Sequence, residues 1–266
     1  MPIRSLLLFA SSFALPVLRA DDPGTLIYHN WGALEDYEVV PECNPGGTTR
    51  LPCGPDDVGI QHQRDEFSIV TANTRRRKVF VNAIARKRFT DRTPDNKPLE
   101  LGTYRYIYAV RLPQLPQKDG VHCGEAVHQM IQFWDGANRI SNSRGRTIEG
   151  AIYWDINPHS DDFQHIKVYS GDPLKLIDTG IVVPADIQWH TFEIRVDLKK
   201  QIYTGMVIDD QWNPLTGIPL ARVPQPTWGK DVSLILTAES ENAFPGNPAS
   251  LRQWATQFKD VKLFRE

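Results

Sequence analysis

The chain has 266 residues, of which 30 are lysine or arginine and 32 are aspartate or glutamate, giving a net charge of −2. This balance argues against a nucleic-acid-binding protein, and the length suits one large β-domain or two small domains. Beyond residue 20, no apolar run reaches the roughly 18 residues that a membrane helix needs, so no membrane partner is expected either.

The first 20 residues, MPIRSLLLFASSFALPVLRA, contain a basic residue, an apolar run and a final small residue. This pattern is typical of a secretory signal peptide, cut near Ala20 or Asp21. The apolar run is too short and too interrupted by serine and proline for a membrane anchor. We therefore expect a secreted, extracellular protein, which we take to be a monomer.

Residues 21–65 are rich in Pro, Gly and Asp, and this composition predicts an irregular N-terminal segment packed on the domain, with one strand at GTLIYHNW. Cys43 and Cys53 flank a Pro/Gly-rich loop. In an oxidising compartment the simplest disulfide closes that loop, although the sequence leaves open a pairing of Cys123 with either of the other two cysteines. The cysteine spacing matches no zinc pattern.

Residues 66–266 are predicted to form a single β-domain. Ten short segments rich in β-branched and aromatic residues are separated by turn residues. These segments are 66–72, 78–89, 103–113, 126–134, 147–157, 163–170, 190–198, 201–209, 231–239 and 258–265. The pattern predicts a jelly-roll sandwich of two antiparallel sheets, with a barrel as the alternative, and leaves room for a short helix at 250–257.

The strand AVHQMIQFW (126–134) carries the first chemical signal. Alternation places one set of side chains on a largely apolar face, and the opposite face is polar. The first face holds Val127, Gln129, Ile131 and Phe133, and the second holds His128, Met130, Gln132 and Trp134. The second face therefore offers an imidazole, an amide and an indole to a ligand.

Three motifs give the chain a family resemblance. The strand TYRYIYAVRLP precedes a strand that ends in Trp-Asp-Gly, the hairpin WHTFEIRVDL…QIYTGMVID follows, and FKDVKLFR closes the chain. This order resembles the concanavalin A-like lectin/glucanase superfamily over residues 66–266. The resemblance implies a jelly roll, but lectins, hydrolases and lyases all use that scaffold.

Within this superfamily, the site pattern is most similar to the jelly-roll polysaccharide lyases. The glucanases carry acidic residues at alternating positions of the strand that here has His128, Met130 and Gln132. Alginate and glucuronan lyases instead place glutamine or asparagine and histidine there, with an arginine from a neighbouring strand. The resemblance therefore implies β-elimination of a uronate-containing polysaccharide, in which cationic or amide groups stabilise the uronate carboxylate while a base removes the C5 proton.

Carried over to this chain, the resemblance makes Gln132 the ligand of the uronate carboxylate and His128 the base or a second stabiliser. Arg86 supplies positive charge. The late strand LILTAESEN (234–242) lacks the tyrosine of the alginate lyases, so the catalytic tyrosine must come from elsewhere. Tyr153 is the first candidate and Tyr203 the second. The expected substrate-binding residues are Arg88, Trp134, His165 and Tyr203.

Two other functions fit the same sequence. One is a non-catalytic carbohydrate-binding jelly roll, and the other is a glycoside hydrolase that uses Glu239 and Glu241, or Glu149. No metal-ligand motif is present and no cofactor is expected to be required, although Ca²⁺ could bind at the turn acids Asp161–Asp162 or Asp209–Asp210. In each case the partner is a polysaccharide.

Overall fold

A computed structural model describes residues 24–32, 36–44, 53, 58–63, 65–71, 80–118, 124–140, 144–222, 232–243 and 254–266. The predicted signal peptide and Cys123 lie outside the described residues. Within these ranges the chain forms sixteen strands and no α-helix. The strands are β1 (Thr25–Asn30), β2 (Glu38–Asn44), β3 (Val58–Gln63), β4 (Glu66–Thr71), β5 (Phe80–Thr90), β6 (Thr103–Arg111), β7 (Ala126–Ile140), β8 (Arg144–Asp155), β9 (His165–Ser170), β10 (Lys175–Val182), β11 (His190–Asp197), β12 (Ile202–Ile208), β13 (Gln211–Asn213), β14 (Ala221–Arg222), β15 (Val232–Ala243) and β16 (Trp254–Arg265).

The strands form two antiparallel sheets of eight, which confirms the predicted jelly-roll sandwich. Sheet A has the order β13-β12-β11-β6-β16-β4-β3, with β1 paired to β16. Sheet B has the order β10-β9-β8-β7-β15-β5-β2, with β14 paired to β8. Neighbours distant in sequence, such as β7 and β15, are therefore adjacent in the sheet.

The core lies between the sheets and is built by alternation along each strand. On β6 the side chains of Tyr104, Tyr106 and Tyr108 are buried, as are Ile152 and Trp154 on β8. Large aromatic side chains bury much apolar area each and dominate such a core. The predicted β11–β12 hairpin is confirmed, and the alternate residues Phe192, Ile194 and Val196 of its first strand are fully buried.

The N-terminal segment differs from its prediction. The described part of residues 21–65 contributes β1 and β3 to sheet A and β2 to sheet B, instead of a single strand on an irregular segment. The sequence did not predict these short strands, because Pro and Gly lie between them and both residue types usually mark loops. Similarly, residues 254–257 begin strand β16, so the expected helix over 250–257 is wrong for this part.

A disulfide joins Cys43 to Cys53, as the simplest pairing predicted. It links Cys43, near the end of β2 in sheet B, to Cys53, which precedes β3 of sheet A by five residues in the sequence. In the part of the chain that the structure describes, no helix is long and apolar enough to cross a membrane.

Candidate functional site

The polar side of strand β7 faces away from sheet A. The evidence is Gln129, which is fully buried and donates from Nε2 to the backbone carbonyl of Tyr106 on sheet A at 2.7 Å. Because side chains alternate along a strand, His128, Met130 and Gln132 point to the opposite side. We call this side of sheet B, across strands β5, β15, β7, β8 and β9, the polar face.

Register assigns each side chain a place on the polar face. Glu239, His128, Tyr153 and Lys167 stand opposite one another on β15, β7, β8 and β9. A second row is displaced from His128 by two residues toward the start of β7 and contains Glu241, Ala126 and Asp155. A third row is displaced from His128 by four residues in the other direction and contains Arg88, Ile235, Gln132 and Glu149. The polar face therefore carries acids, phenols and amides from five strands that are separated in sequence.

His128 is the centre of a carboxylate–imidazole–phenol cluster. Its Nε2 lies 2.8 Å from Oε2 of Glu241, an ion-pair contact whose direction falls outside hydrogen-bond geometry. Its Nδ1 lies 3.1 Å from the hydroxyl of Tyr169, and its ring contacts that of Tyr153 edge-on at 4.6 Å between centroids. His128 itself is only 3% exposed, so a ligand on this face would meet the phenols before the imidazole.

The surroundings of His128 make it a better proton acceptor. Burial disfavours the charged imidazolium, but Glu241 opposes this effect through its close contact and its charge, and the charges of Glu239 and Glu125 add to it. Together they raise the pKa of His128 above its ordinary value. The carboxylates therefore stabilise any proton that His128 takes up.

Gln132 is committed to a partner on the neighbouring strand. Its Nε2 donates to Oε2 of Glu149 at 2.8 Å. Burial raises the pKa of Glu149 to about 7, with the charge of Glu239 adding to the rise and Gln132 opposing it. Glu149 is therefore partly protonated near neutral pH. The amide of Gln132 has two N–H donors, and its bond to Glu149 uses one of them.

A second acidic group closes one end of the polar face. Burial, together with the charges of Glu241 and Asp155, raises the pKa of Glu125 to about 7, although Asn157 donates to it at 2.8 Å. Lys167 stands among these acids, with Nζ 3.2 Å from Asp155 and 2.8 Å from Asp162. Its ammonium is therefore already neutralised by two carboxylates.

The opposite end of the polar face is cationic and aromatic. The guanidinium of Arg88, an exposed residue of β5, lies 4.8 Å from the ring centroid of Trp134 on β7, reaching across β15. Arg86 lies one position further along the same face and pairs through Nε with Glu38 at 3.2 Å. Arg86 stands opposite Thr237 on β15, and Thr237 stands opposite Met130 on β7. Arg86 is therefore two strands away from β7 and level with Met130, two residues along the strand from His128.

The structure gathers some of the predicted site residues and separates others. His128 and Tyr153 are in contact, whereas Gln132 lies four residues along β7 from His128, about 13 Å at the usual rise of a strand. Tyr203 is corrected: it is 1% exposed, and its hydroxyl crosses the core from sheet A to donate to the Tyr169 carbonyl at 2.6 Å. It positions Tyr169 and is not available to a substrate.

Tyr169 is the residue that sequence reasoning did not place at the centre. The alternation of His165, Lys167 and Tyr169 does indicate a shared face of β9. The hydroxyl contact with His128, 41 residues away in the sequence, depends on the order of strands in the sheet. Residues 126–134 of β7, which include His128, contain no carboxylate, yet Glu239 and Glu241 stand on the neighbouring β15, so the polar face as a whole is rich in carboxylates.

His165, another predicted substrate contact, lies at the edge of sheet B. Its Nδ1 is 2.8 Å from a carboxylate oxygen of Asp178. One ring nitrogen of His165, one carboxylate oxygen of Asp178 and one carboxylate oxygen of Asp162 all lie within 4.8 Å of one another. An imidazole and two carboxylates suit a divalent transition-metal ion such as Zn²⁺ better than Ca²⁺, which prefers oxygen ligands. One of the predicted turn acids, Asp162, therefore belongs to the arrangement, whereas Asp209 pairs with His190.

No family model matches the chain, and no curated protein matches it. Among solved structures, the endo-β-1,4-glucuronan lyase of the fungus Trichoderma reesei superposes with a TM-score of 0.54 at 10% identity, covering 91% of this chain and 96% of that one. LamAcat of Zobellia galactanivorans gives 0.49 at 10% identity, covering 91% and 98%. The β-glucanase of Bacillus licheniformis gives 0.44 at 10% identity, covering 92% and 100%.

The superposition on the glucuronan lyase agrees with the two-sheet architecture. The chain has a concanavalin A-like jelly roll, the scaffold that this lyase also has. The glucuronan lyase superposes over nearly the whole length of both chains. At this level of identity the match describes the scaffold, and the function has to be argued from the polar face.

Proposed function

We propose that this protein is a secreted polysaccharide lyase that cleaves a uronate-containing polysaccharide by β-elimination. The observation that carries the proposal is the chain of contacts from Glu241 through His128 to Tyr169, at 2.8 Å and 3.1 Å. Such a chain activates a hydroxyl as an adjacent carboxylate and imidazole activate other nucleophiles and bases. The Cys43–Cys53 disulfide fits an oxidising compartment and supports export.

The proposed step begins at the phenol. Neutral His128 accepts the proton of Tyr169 through Nδ1, and Glu241 stabilises the imidazolium that forms. The Tyr169 oxygen removes the C5 proton of the uronate, the electron pair forms the C4–C5 double bond, and the C4–O4 bond breaks. The proton returns through Tyr169 to O4 of the leaving sugar. Tyr153, which packs on His128, holds the imidazole in place or contacts the same sugar.

The uronate carboxylate needs donors while it gains enolate character. In this proposal the second N–H of Gln132 and the guanidinium of Arg86 supply them, as the family resemblance implies. The atoms and electrons of the elimination balance without a metal or an organic cofactor, so neither is part of the proposed step. If Ca²⁺ binds, we propose the carboxylates of Asp162 and Asp178 as its ligands, because Ca²⁺ prefers oxygen.

The test is the ultraviolet absorbance of the new C4–C5 double bond, measured on a panel of polyuronates. Tyr169→Phe removes only the hydroxyl, and His128→Ala removes its acceptor, so both should lower kcat by at least about 100-fold. Tyr104→Phe is the matched control, because Tyr104 lies on β6 of sheet A and its hydroxyl donates to the backbone carbonyl of Glu100, outside the polar face. Full activity of Tyr169→Phe would reject this mechanism.

A second function is favoured by a specific observation. Glu149, with its pKa raised to about 7, has the property of a general acid, and Glu239, whose charge contributes to that rise, is a candidate partner carboxylate. This pair suits a glycoside hydrolase. The same panel distinguishes the two: a hydrolase releases reducing ends without ultraviolet absorbance and loses activity in Glu149→Gln, whereas a non-catalytic binder gives neither product.

A further inference from the structure

The two ends of the polar face differ in charge. At one end stand Glu125, Asp155 and Asp162, with Lys167 paired to the two aspartates. At the other end stand Arg88 on β5 and Trp134 on β7. Glu149, on β8 in the row of Arg88, is bonded to Gln132 and has a pKa raised to about 7. The two ends are about 20 Å apart, because Ala126, which is opposite Asp155, and Gln132, which shares a row with Arg88, are six residues apart on β7. A polysaccharide that spans this distance meets opposite potentials at its two ends.

The cations of the polar face are not equally accessible to an anionic ligand. His128 pairs with Glu241, Lys167 with Asp155 and Asp162, and Arg86 with Glu38. Arg88, by contrast, stacks on the Trp134 ring and is exposed. A guanidinium presents paired N–H donors that match a carboxylate, and stacking on an indole restricts its rotamers without using those donors. Arg88 is therefore the side chain best prepared for the carboxylate of a second uronate, beside the one that Gln132 and Arg86 are proposed to hold at the reaction centre.

The acidic end has the opposite preference. Asp162 is about half exposed, and Glu125 and Asp155 lie behind it with their neighbouring carboxylates. A uronate placed there would meet like charges, and the ammonium of Lys167 is already neutralised by Asp155 and Asp162, so binding would cost energy. An uncharged sugar, whose hydroxyls donate to carboxylates, or an amino sugar would instead be favoured.

We propose that Arg88 and Trp134 bind one uronate of the substrate and that the end bordered by Glu125, Asp155 and Asp162 accepts only uncharged or amino sugars, so that the natural substrate is a mixed polysaccharide and not a homopolyuronate. This inference rests on the proposed function, since it assumes a substrate that contains uronate. It adds the substrate class and the residues that select it.

The experiment compares two polymers: one that alternates glucuronate with N-acetylglucosamine, and polyglucuronate. The wild type should have a kcat/KM at least about tenfold higher on the alternating polymer. Arg88→Ala should raise KM on that polymer at least about tenfold with kcat nearly unchanged. Asp162→Asn should reduce the preference by improving activity on polyglucuronate. The control Lys200→Ala removes an exposed cation of the β11–β12 turn and should change neither value.

The outcomes separate the two proposals. Equal activity on both polymers, or an unchanged KM in Arg88→Ala, overturns the inference and leaves the lyase proposal intact. If neither polymer gives ultraviolet absorbance, the lyase proposal fails. Calorimetric binding of the matching oligosaccharides then decides the inference alone: tighter binding of the alternating oligosaccharide, lost in Arg88→Ala, supports it, and equal or absent binding overturns it.

Discussion

Replacing Glu241 by glutamine tests the ion pair at the centre of the site. The change keeps the shape and removes the charge 2.8 Å from His128 Nε2, leaving burial as the main influence on the imidazole. Because the folded-state pKa of His128 is raised, the pair stabilises the fold below the unfolded pKa of about 6.5, and this contribution is lost as the pH rises through the folded pKa.

The size of the effect follows from burial. Both side chains are shielded, with 4% of His128 and 16% of Glu241 exposed, so the pair is worth more than a surface contact. We expect Glu241→Gln to lose about 2 kcal/mol near pH 5.5, which corresponds to a fall in Tm of about 4–8 °C for a chain of this size. Above the folded pKa of His128 the loss should be much smaller.

Thermal unfolding at about pH 5.5 and about pH 9, together with NMR titration of the histidine ring protons, measures this prediction. In the variant, the pKa of His128 should fall below that of the wild type, and the acidic limb of the pH–rate profile should move to lower pH. Glu38→Gln is the matched control, because its pair with Arg86 is 61% exposed on the glutamate side and should contribute less than about 1 kcal/mol. An equal loss of stability at both pH values would refute the assignment.

Three further predictions concern stability. Glu125 and Glu149 have folded pKa values raised from 4.5 to about 7. The free energy of unfolding should therefore decrease as the pH rises from about 4.5 through about 7, by up to about 3 kcal/mol for each group. Glu149→Gln should remove the contribution of Glu149 to this pH dependence, which a series of Tm measurements against pH would show. Gly150→Ala should cost about 1–3 kcal/mol by denaturant unfolding, because the new methyl would lie 2.6 Å from Val196; Gly205→Ala should cost less, since the Trp212 ring that it meets is half exposed and can move aside. Tyr203→Phe should lower the free energy of unfolding by about 1–2 kcal/mol, because the Tyr203 hydroxyl donates to the Tyr169 carbonyl at 2.6 Å. It should also lower kcat without changing KM, because Tyr169 loses this support. A higher KM with unchanged stability would contradict this role.

The alternation of apolar and polar residues was sufficient to predict the sandwich, because it records which side of each strand is buried. It correctly assigned Val127, Gln129 and Ile131 to the core side of β7, and it predicted the β11–β12 hairpin. It did not recover β1, β2 and β3 as members of two sheets, since short strands between Pro and Gly residues carry little periodic signal.

The sequence by itself determined which side chains share a face of one strand: His128 with Gln132, Arg86 with Arg88, and Glu239 with Glu241. Only the tertiary structure decided which strands are neighbours, and therefore that Glu241 and Tyr169 meet at His128 while Tyr203 crosses the core. The physical reason is that alternation is a local property of the backbone, whereas strand order is set by long-range pairing that no short segment encodes.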